Sequence, residues 1–145
     1  MRKASSIGAI VLGVAMILGG LTTWFVVSTT LADQKIVVSA DAGCLAGDEV
    51  DGPFSAYCQA KVIDKHTLEA TGGKRYAELD RDDPLRALAQ NSAFLQASLF
   101  TSVVAFGVAA MATFVGILFV LLGLGIRDVD RRIAVLEGVG TSTSG

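Results

Sequence analysis

Apolar residues in this chain gather into two long runs, and polar residues fill the segment between them. From Ile7 to Val27 no residue is charged, and Ile, Val, Leu, Met, Phe and Trp dominate. The second run is longer: nothing between Arg86 and Arg127 carries a charge, and its strongly apolar part is Leu99 to Ile126. A helix needs about 20 residues to cross the roughly 30 Å hydrocarbon core of a bilayer, so each run predicts a transmembrane helix. The second has residues to spare, and must tilt or project beyond the lipid. The pattern predicts a mainly α membrane protein: a two-transmembrane-helix hairpin with a small domain between its spans. Expected boundaries are an N-terminus at 1–6, spans at 7–27 and 93–126, an intervening domain at 28–92, and a tail at 127–145.

Basic residues orient the hairpin. Arg2 and Lys3 precede the first span, and Arg127, Arg131 and Arg132 follow the second. Lys and Arg are retained on the cytoplasmic side, which predicts both termini inside and the central domain outside the cell membrane. A cleaved signal peptide is the competing reading of the first run, with Thr30-Leu31-Ala32 as a loose cleavage site. The run exceeds the usual 7–15 apolar residues of such a peptide, which favours a retained span. Ala42-Gly43-Cys44 resembles a lipobox only superficially, because Asp41 stands where an apolar residue is needed.

Cys44 and Cys58 are the only cysteines, and both fall in the segment placed outside. In an oxidising compartment such a pair predicts a disulfide. Closing a loop of about 15 residues contributes roughly 3 kcal/mol in the chain-entropy model. That is comparable with the whole core energy, about 3–5 kcal/mol, of so small a domain. The β-branched run Lys35-Ile36-Val37-Val38-Ser39 predicts a short strand. Gly52-Pro53 opens a helix, with Asp51 as the expected cap and Phe54, Cys58 and Val62 on one face; Gly72-Gly73 ends it. Asp82-Asp83-Pro84 opens another, with Leu85, Leu88, Ser92 and Leu95 on one face. No breaker follows before Ile126, so this helix is expected to begin outside the lipid and run in continuously for about 64 Å. After it, Val129, Ile133 and Leu136 predict a short amphipathic segment before a disordered Gly/Ser/Thr end.

Composition agrees with this partition. Hydrophobic residues make up 52% of the chain and the mean hydropathy is +0.56, above the soluble norm. The formal net charge of −2, without a concentrated basic face, gives no basis for nucleic-acid binding.

Candidate chemistry is sparse. His66 is the only histidine, and a metal would have to recruit Asp64 and Glu69, at no established ligand spacing. Asp48, Glu49 and Asp51, and the group Asp80, Asp82 and Asp83, lack the alternation of a calcium-binding loop. Lys74-Arg75 could meet an anion, but helix-end solubility accounts for them. The spans contain no ionisable residue of the kind that marks proton relays and ion pathways. The reading is therefore no enzyme, with no catalytic, cofactor or metal site. The spans do carry small residues at helical spacing: Ala9 and Gly13, Ala15 and Gly19, then Ala105 and Ala109, Ala112 and Gly116. Such pairs let membrane helices approach closely, against each other or against a foreign partner.

The stretch Tyr57 to Val108, with HTLEATGGKRYAELDRDDP leading into NSAFLQASLFTSVVAFG, resembles a family of small actinobacterial membrane proteins. Its members are often described as aromatic ring-opening dioxygenases. Such enzymes hold iron with histidines and a carboxylate, which a chain with one histidine does not supply. The architecture is also similar to the association factors of the actinobacterial cytochrome bc–cytochrome oxidase supercomplex, which are non-catalytic membrane subunits with a domain on the outer side. The resemblance implies an accessory subunit whose partners are other integral membrane proteins, respiratory subunits first among them, and the lipid bilayer. The alternative is a free-standing sensor or ligand-binding protein of the cell envelope. That reading requires a pocket with convergent polar groups in the outside domain; the accessory reading requires a flat or filled one.

Overall fold

The computed structural model describes residues 2–142, with side chains over 4–135. Three helices make up most of it: α1 (Arg2–Ala32), α2 (Pro53–Ala70) and α3 (Arg86–Ser142), with a 3₁₀ turn at Tyr76–Glu78. Two of them contain stretches long and apolar enough to cross a membrane, Ala4–Ala32 and Arg86–Val135. Of the tail expected to be disordered, α3 covers the part up to Ser142. Residues 143–145, and the Leu136 side chain, lie outside what is described.

The helix ends follow from local chemistry. Beyond Ala32, α1 closes with a tight turn, Gln34 N–H donating to the Leu31 carbonyl, and Lys35 takes a left-handed φ of 53°. The N-cap of α2 is Gly52 rather than the expected Asp51. Ser55 Oγ accepts from the Gly52 N–H at 3.2 Å and from the Asp51 N–H at 3.3 Å, so the capping group comes from inside the helix. Pro53 occupies the first turn, where its missing N–H costs nothing. The helix stops where Gly72 and Gly73 turn left-handed, at φ 63° and 86°. Before α3, the Asp83 carboxylate accepts the Leu85 N–H at 2.8 Å, and the helix begins at Arg86, two residues beyond Pro84.

The chain divides into two compact units. One pairs α1 up to Thr22 with α3 from Ala109; it is called here the helix-pair unit. The other, Thr23–Val108, is the stapled unit.

In the stapled unit the expected strand is reduced to a single bridge between Val37 and Glu49, and no strand forms among the described residues. Val38 N–H donates to the Asp48 carbonyl and Val50 N–H to the Ile36 carbonyl, both at 2.9 Å. The pairing stops there because left-handed Leu45 and Gly47 turn the chain on one side and α2 starts on the other. Val38 and Val50 from this bridge join Leu31, Ala56, Leu99 and Phe106 in one hydrophobic cluster. Trp24 packs edge-on against Phe106, ring centroids 4.7 Å apart.

Two helix faces differ from expectation. On α2 the buried stripe contains Ser55, Cys58 and Val62, while Phe54 is 78% exposed. Capping draws Ser55 inward and turns Phe54 out. In the first turns of α3 and beyond, Ala89, Ser92, Leu99 and Phe106 are buried, whereas Leu88 and Leu95, like Leu85 just before the helix, are exposed. Where both faces of a helix are apolar, hydrophobicity does not mark the one that packs against protein.

Candidate functional site

Within the helix-pair unit, α1 and α3 run antiparallel along a seam of the smallest residues in the chain. A Cβ placed on Gly13 would lie 2.5 Å from the Gly116 carbonyl oxygen, and one on Gly116 would lie 2.6 Å from that of Gly13. One on Gly20 would lie 2.6 Å from the Ala109 oxygen, and one on Gly123 would come within 2.9 Å of the Ser6 oxygen. No side chain fits in such gaps, so the two backbones are in direct contact. Ser6 Oγ donates to the Gly123 carbonyl at 2.8 Å in a buried hydrogen bond across the pair.

Of the eight small residues singled out from sequence, Gly13, Gly116 and Ala109 lie on this seam, and Ala9 and Ala112 are half-buried. Ala105 falls in the stapled unit. Ala15 is exposed, and a Cβ on Gly19 would meet nothing within 4 Å. Ala15 stands two residues from Gly13, roughly 200° round the helix, and so takes no part. The period is seven rather than four: Ser6, Gly13 and Gly20 on α1 face Gly123, Gly116 and Ala109 on α3. Ser6, Gly20 and Gly123 were missed by reading small pairs four apart. A search for small residues recurring every seven positions finds all six, since that is the repeat of a left-handed antiparallel pair.

In the stapled unit the cysteines are joined, Cys44 to Cys58, with Cα atoms 5.8 Å apart. The bond ties the Gly-rich loop to α2. A second tie lies beside it: the Asp41 carboxylate accepts from Lys65 Nζ at 3.1 Å and meets His66 Nε2 at 2.7 Å. These partners hold the Asp41 pKa at about 2, below the ordinary 3.8, with the His66 hydrogen bond the largest cause and the Lys65 bond next. The grouping of His66 with Asp64 and Glu69 is not what forms. Asp64 instead takes the Arg75 guanidinium, at 2.9 and 3.4 Å, which also occupies one of the two basic residues considered for an anion. Among the described residues no three His, Cys, Asp or Glu side chains are placed to hold a metal. Arg86 stacks on the Tyr76 ring, 4.3 Å from its centre, and donates to the Leu79 carbonyl, fixing the start of α3.

The same unit contains a half-open groove of about 660 Å³, lined by the last turns of α1, the segment after it, Gln59 and Ile63 of α2, and Leu95 to Ala105 of α3. Its lining is mostly apolar. Three of its hydroxyls donate to carbonyls of their own helices: Thr30 to Val26, Thr101 to Ala97 and Ser102 to Ser98, at 2.7–3.1 Å. Gln34, Gln59 and Ser98 are the other polar residues of its lining.

No protein-family model matches this chain, and no curated protein or solved structure is significantly similar to it.

Proposed function

We propose that the chain is a two-span membrane protein, both ends cytoplasmic and the 28–92 segment outside, that serves as a non-catalytic accessory subunit of a larger membrane complex. The observation that carries the membrane reading is the outward display of apolar side chains on both long helices. In their most hydropathic stretches only 11% and 17% of residues are buried. A core helix of a water-soluble protein buries most of such a stretch; a helix in lipid does not. The Gly13–Gly116 contact supports retention of the first span, since cleavage would strip α3 of the helix it packs on.

The accessory role is supported by the chemistry of the stapled unit. Several of its charged side chains pair with one another, Asp41 with Lys65 and His66 and Asp64 with Arg75. Its groove is mostly apolar, and three of its six polar residues turn their hydroxyls onto their own helices, which suits a polar ligand poorly. The proposed host, the cytochrome bc–cytochrome oxidase supercomplex, rests on the sequence resemblance alone.

Pull-down of the tagged full-length protein from native membranes in mild detergent, with mass spectrometry and haem spectra of the eluate, tests this. Oxidase or cytochrome bc subunits in stoichiometric yield are expected. Recovery as a lone monomer or homodimer sinks the accessory role and favours the free-standing envelope protein.

A further inference from the structure

We propose that a basic cleft at the Ser6–Arg127 end of the helix-pair unit binds the phosphate group of an anionic phospholipid. The inference rests on the membrane reading above, though not on the accessory role. The cleft, of about 400 Å³, is lined by Ser6 and Ile7 of α1 and by Arg127, Asp130, Arg131 and Ala134 of α3. Each helix reaches the edge of its apolar run there. Ile7 opens the first run, and Arg127 is the charge that closes the second. On the membrane reading, two separate helices thus set the cleft at headgroup depth, on the side assigned to the cytoplasm.

The charges at this end divide into paired and unpaired ones. Arg132 Nε donates to the Asp128 carboxylate at 2.9 Å, outside the cleft. Arg127 and Arg131 are exposed and form no ion pair among the described residues. Four residues apart, they share one face of α3, so two guanidinium groups are within reach of one anion. Each guanidinium is a planar fork of donors that matches the oxygens of a phosphate. Ser6 Oγ is already committed to the Gly123 carbonyl, which leaves the arginines as the donors of the cleft. Asp130 is the opposing charge in the lining; it is half-buried and already engaged. Even counted as a full negative charge, it leaves the cleft net positive, the complement of a phosphodiester. A carboxylate would fit the same fork. Depth selects phosphate, because the anions a bilayer presents beside its apolar core are headgroup phosphates, and basic pockets between helices on the cytoplasmic side receive them.

The test counts lipid bound to the purified full-length chain. In a neutral detergent the chain is titrated separately with phosphatidylglycerol, phosphatidylcholine and inorganic phosphate, and the adducts are resolved by native mass spectrometry. Phosphatidylglycerol is expected to bind in preference to phosphatidylcholine, whose choline cancels the phosphate charge. Inorganic phosphate is expected neither to bind nor to displace it. Arg127→Gln and Arg131→Gln should each weaken phosphatidylglycerol binding by about five-fold, the roughly 1 kcal/mol of one basic residue at an anionic surface. Asp130→Asn should tighten it. Arg132→Gln removes the same charge from a paired residue outside the cleft and should leave binding unchanged. Equal losses from Arg127→Gln and Arg132→Gln, or no preference for phosphatidylglycerol, overturn the site. Displacement by inorganic phosphate overturns the lipid as occupant and makes the cleft a site for a soluble anion. The membrane reading is checked apart, by flotation of the chain with phosphatidylcholine vesicles after detergent removal. A chain that stays in the dense fraction overturns both.

Discussion

In the helix-pair unit the surfaces that meet are backbone, Gly13 against Gly116 and Gly20 against Ala109, and the apolar side chains point away. In the stapled unit the surfaces that meet are side chains, Val38, Val50 and Phe106 among them, each at most 1% exposed. On the membrane reading proposed above, the contrast follows from the different surroundings of the two units. Against lipid tails an apolar side chain gains little by burial, so association depends on close approach and interhelical hydrogen bonding. Against water, burial contributes about 25 cal/mol per Å², and a small unit adds a covalent staple because its core alone is marginal. One unit therefore fails when atoms are added, and the other when they are removed.

The largest expected effect is removal of the staple. Cys44→Ala with Cys58→Ala should destabilise the stapled unit by about 3 kcal/mol, from the roughly 15-residue loop it closes. Trp24, the only tryptophan, sits against Phe106 in that unit and reports its unfolding by fluorescence. A denaturant midpoint unmoved by the double change would mean that the side-chain core suffices by itself. Alkylation with and without reductant, read by mass, checks the premise: two freely reactive thiols in the native protein refute the bond.

The reverse experiment adds atoms to the seam. Gly13→Val places a Cβ 2.5 Å from the Gly116 oxygen, a backbone atom that has no rotamer by which to give way. Overpacking of this kind costs about 1–3 kcal/mol. Spin labels on introduced cysteines at the exposed Leu12 and Leu118 should report a longer, broader interhelical distance, with Trp24 fluorescence unchanged. Gly19→Val, where a Cβ meets nothing within 4 Å, should alter neither reading. Equal responses from the two valine variants would defeat the seven-residue seam.

How far each unit was legible follows from the same contrast. The position of both long helices can be read from the charge-free runs, but not their ends: α1 begins at Arg2, and α3 continues past Arg127 to Ser142. The disulfide can be read from two cysteines in one segment, and Gly72-Gly73 from the left-handed turn they permit. What could not be read was which face packs. Of the face expected around the start of α3, only Ser92 is buried; Leu85, Leu88 and Leu95 stand out in sequence yet are exposed, and Ala89 packs in their place. In a helix apolar all round, the informative residues are the small ones, and their period has to be tested at seven as well as at four. The β-branched run Lys35 to Ser39 predicts a strand but forms only the single Val37–Glu49 bridge, because the chain turns at Leu45 and Gly47 and α2 begins soon after.

A milder change separates closeness from hydrogen bonding. Ser6→Ala removes the 2.8 Å bond to the Gly123 carbonyl while keeping the residue small. Interhelical hydrogen bonds in membranes average about 0.6 kcal/mol, so the Leu12–Leu118 label distance should persist and be lost at slightly lower SDS fraction. Damage equal to that from Gly13→Val would mean that the bond, and not backbone approach, holds the pair.

The smallest effect concerns the second tie in the stapled unit, and it depends on pH. Asp41 has a folded pKa of about 2 against an ordinary 3.8, because His66 and Lys65 favour its charged form. A depressed carboxylate stabilises the fold in full above its unfolded pKa. Between about 4 and about 2 the unfolded chain binds the proton first, and the contribution drains away. The Asp41 side chain is 47% exposed, so solvent and salt screen the interaction and the effect is slight. Acid titration followed by Trp24 fluorescence should show Asp41→Asn less stable than the parent near neutral pH, with the two converging as pH falls to about 2. Raising the salt should shrink the neutral-pH gap and leave the staple's larger effect where it was, since a covalent bond is not screened. If the gap persists unchanged at pH 2, the carboxylate's charge is not what ties Asp41 to α2, and steric fit of the loop against Lys65 and His66 takes its place.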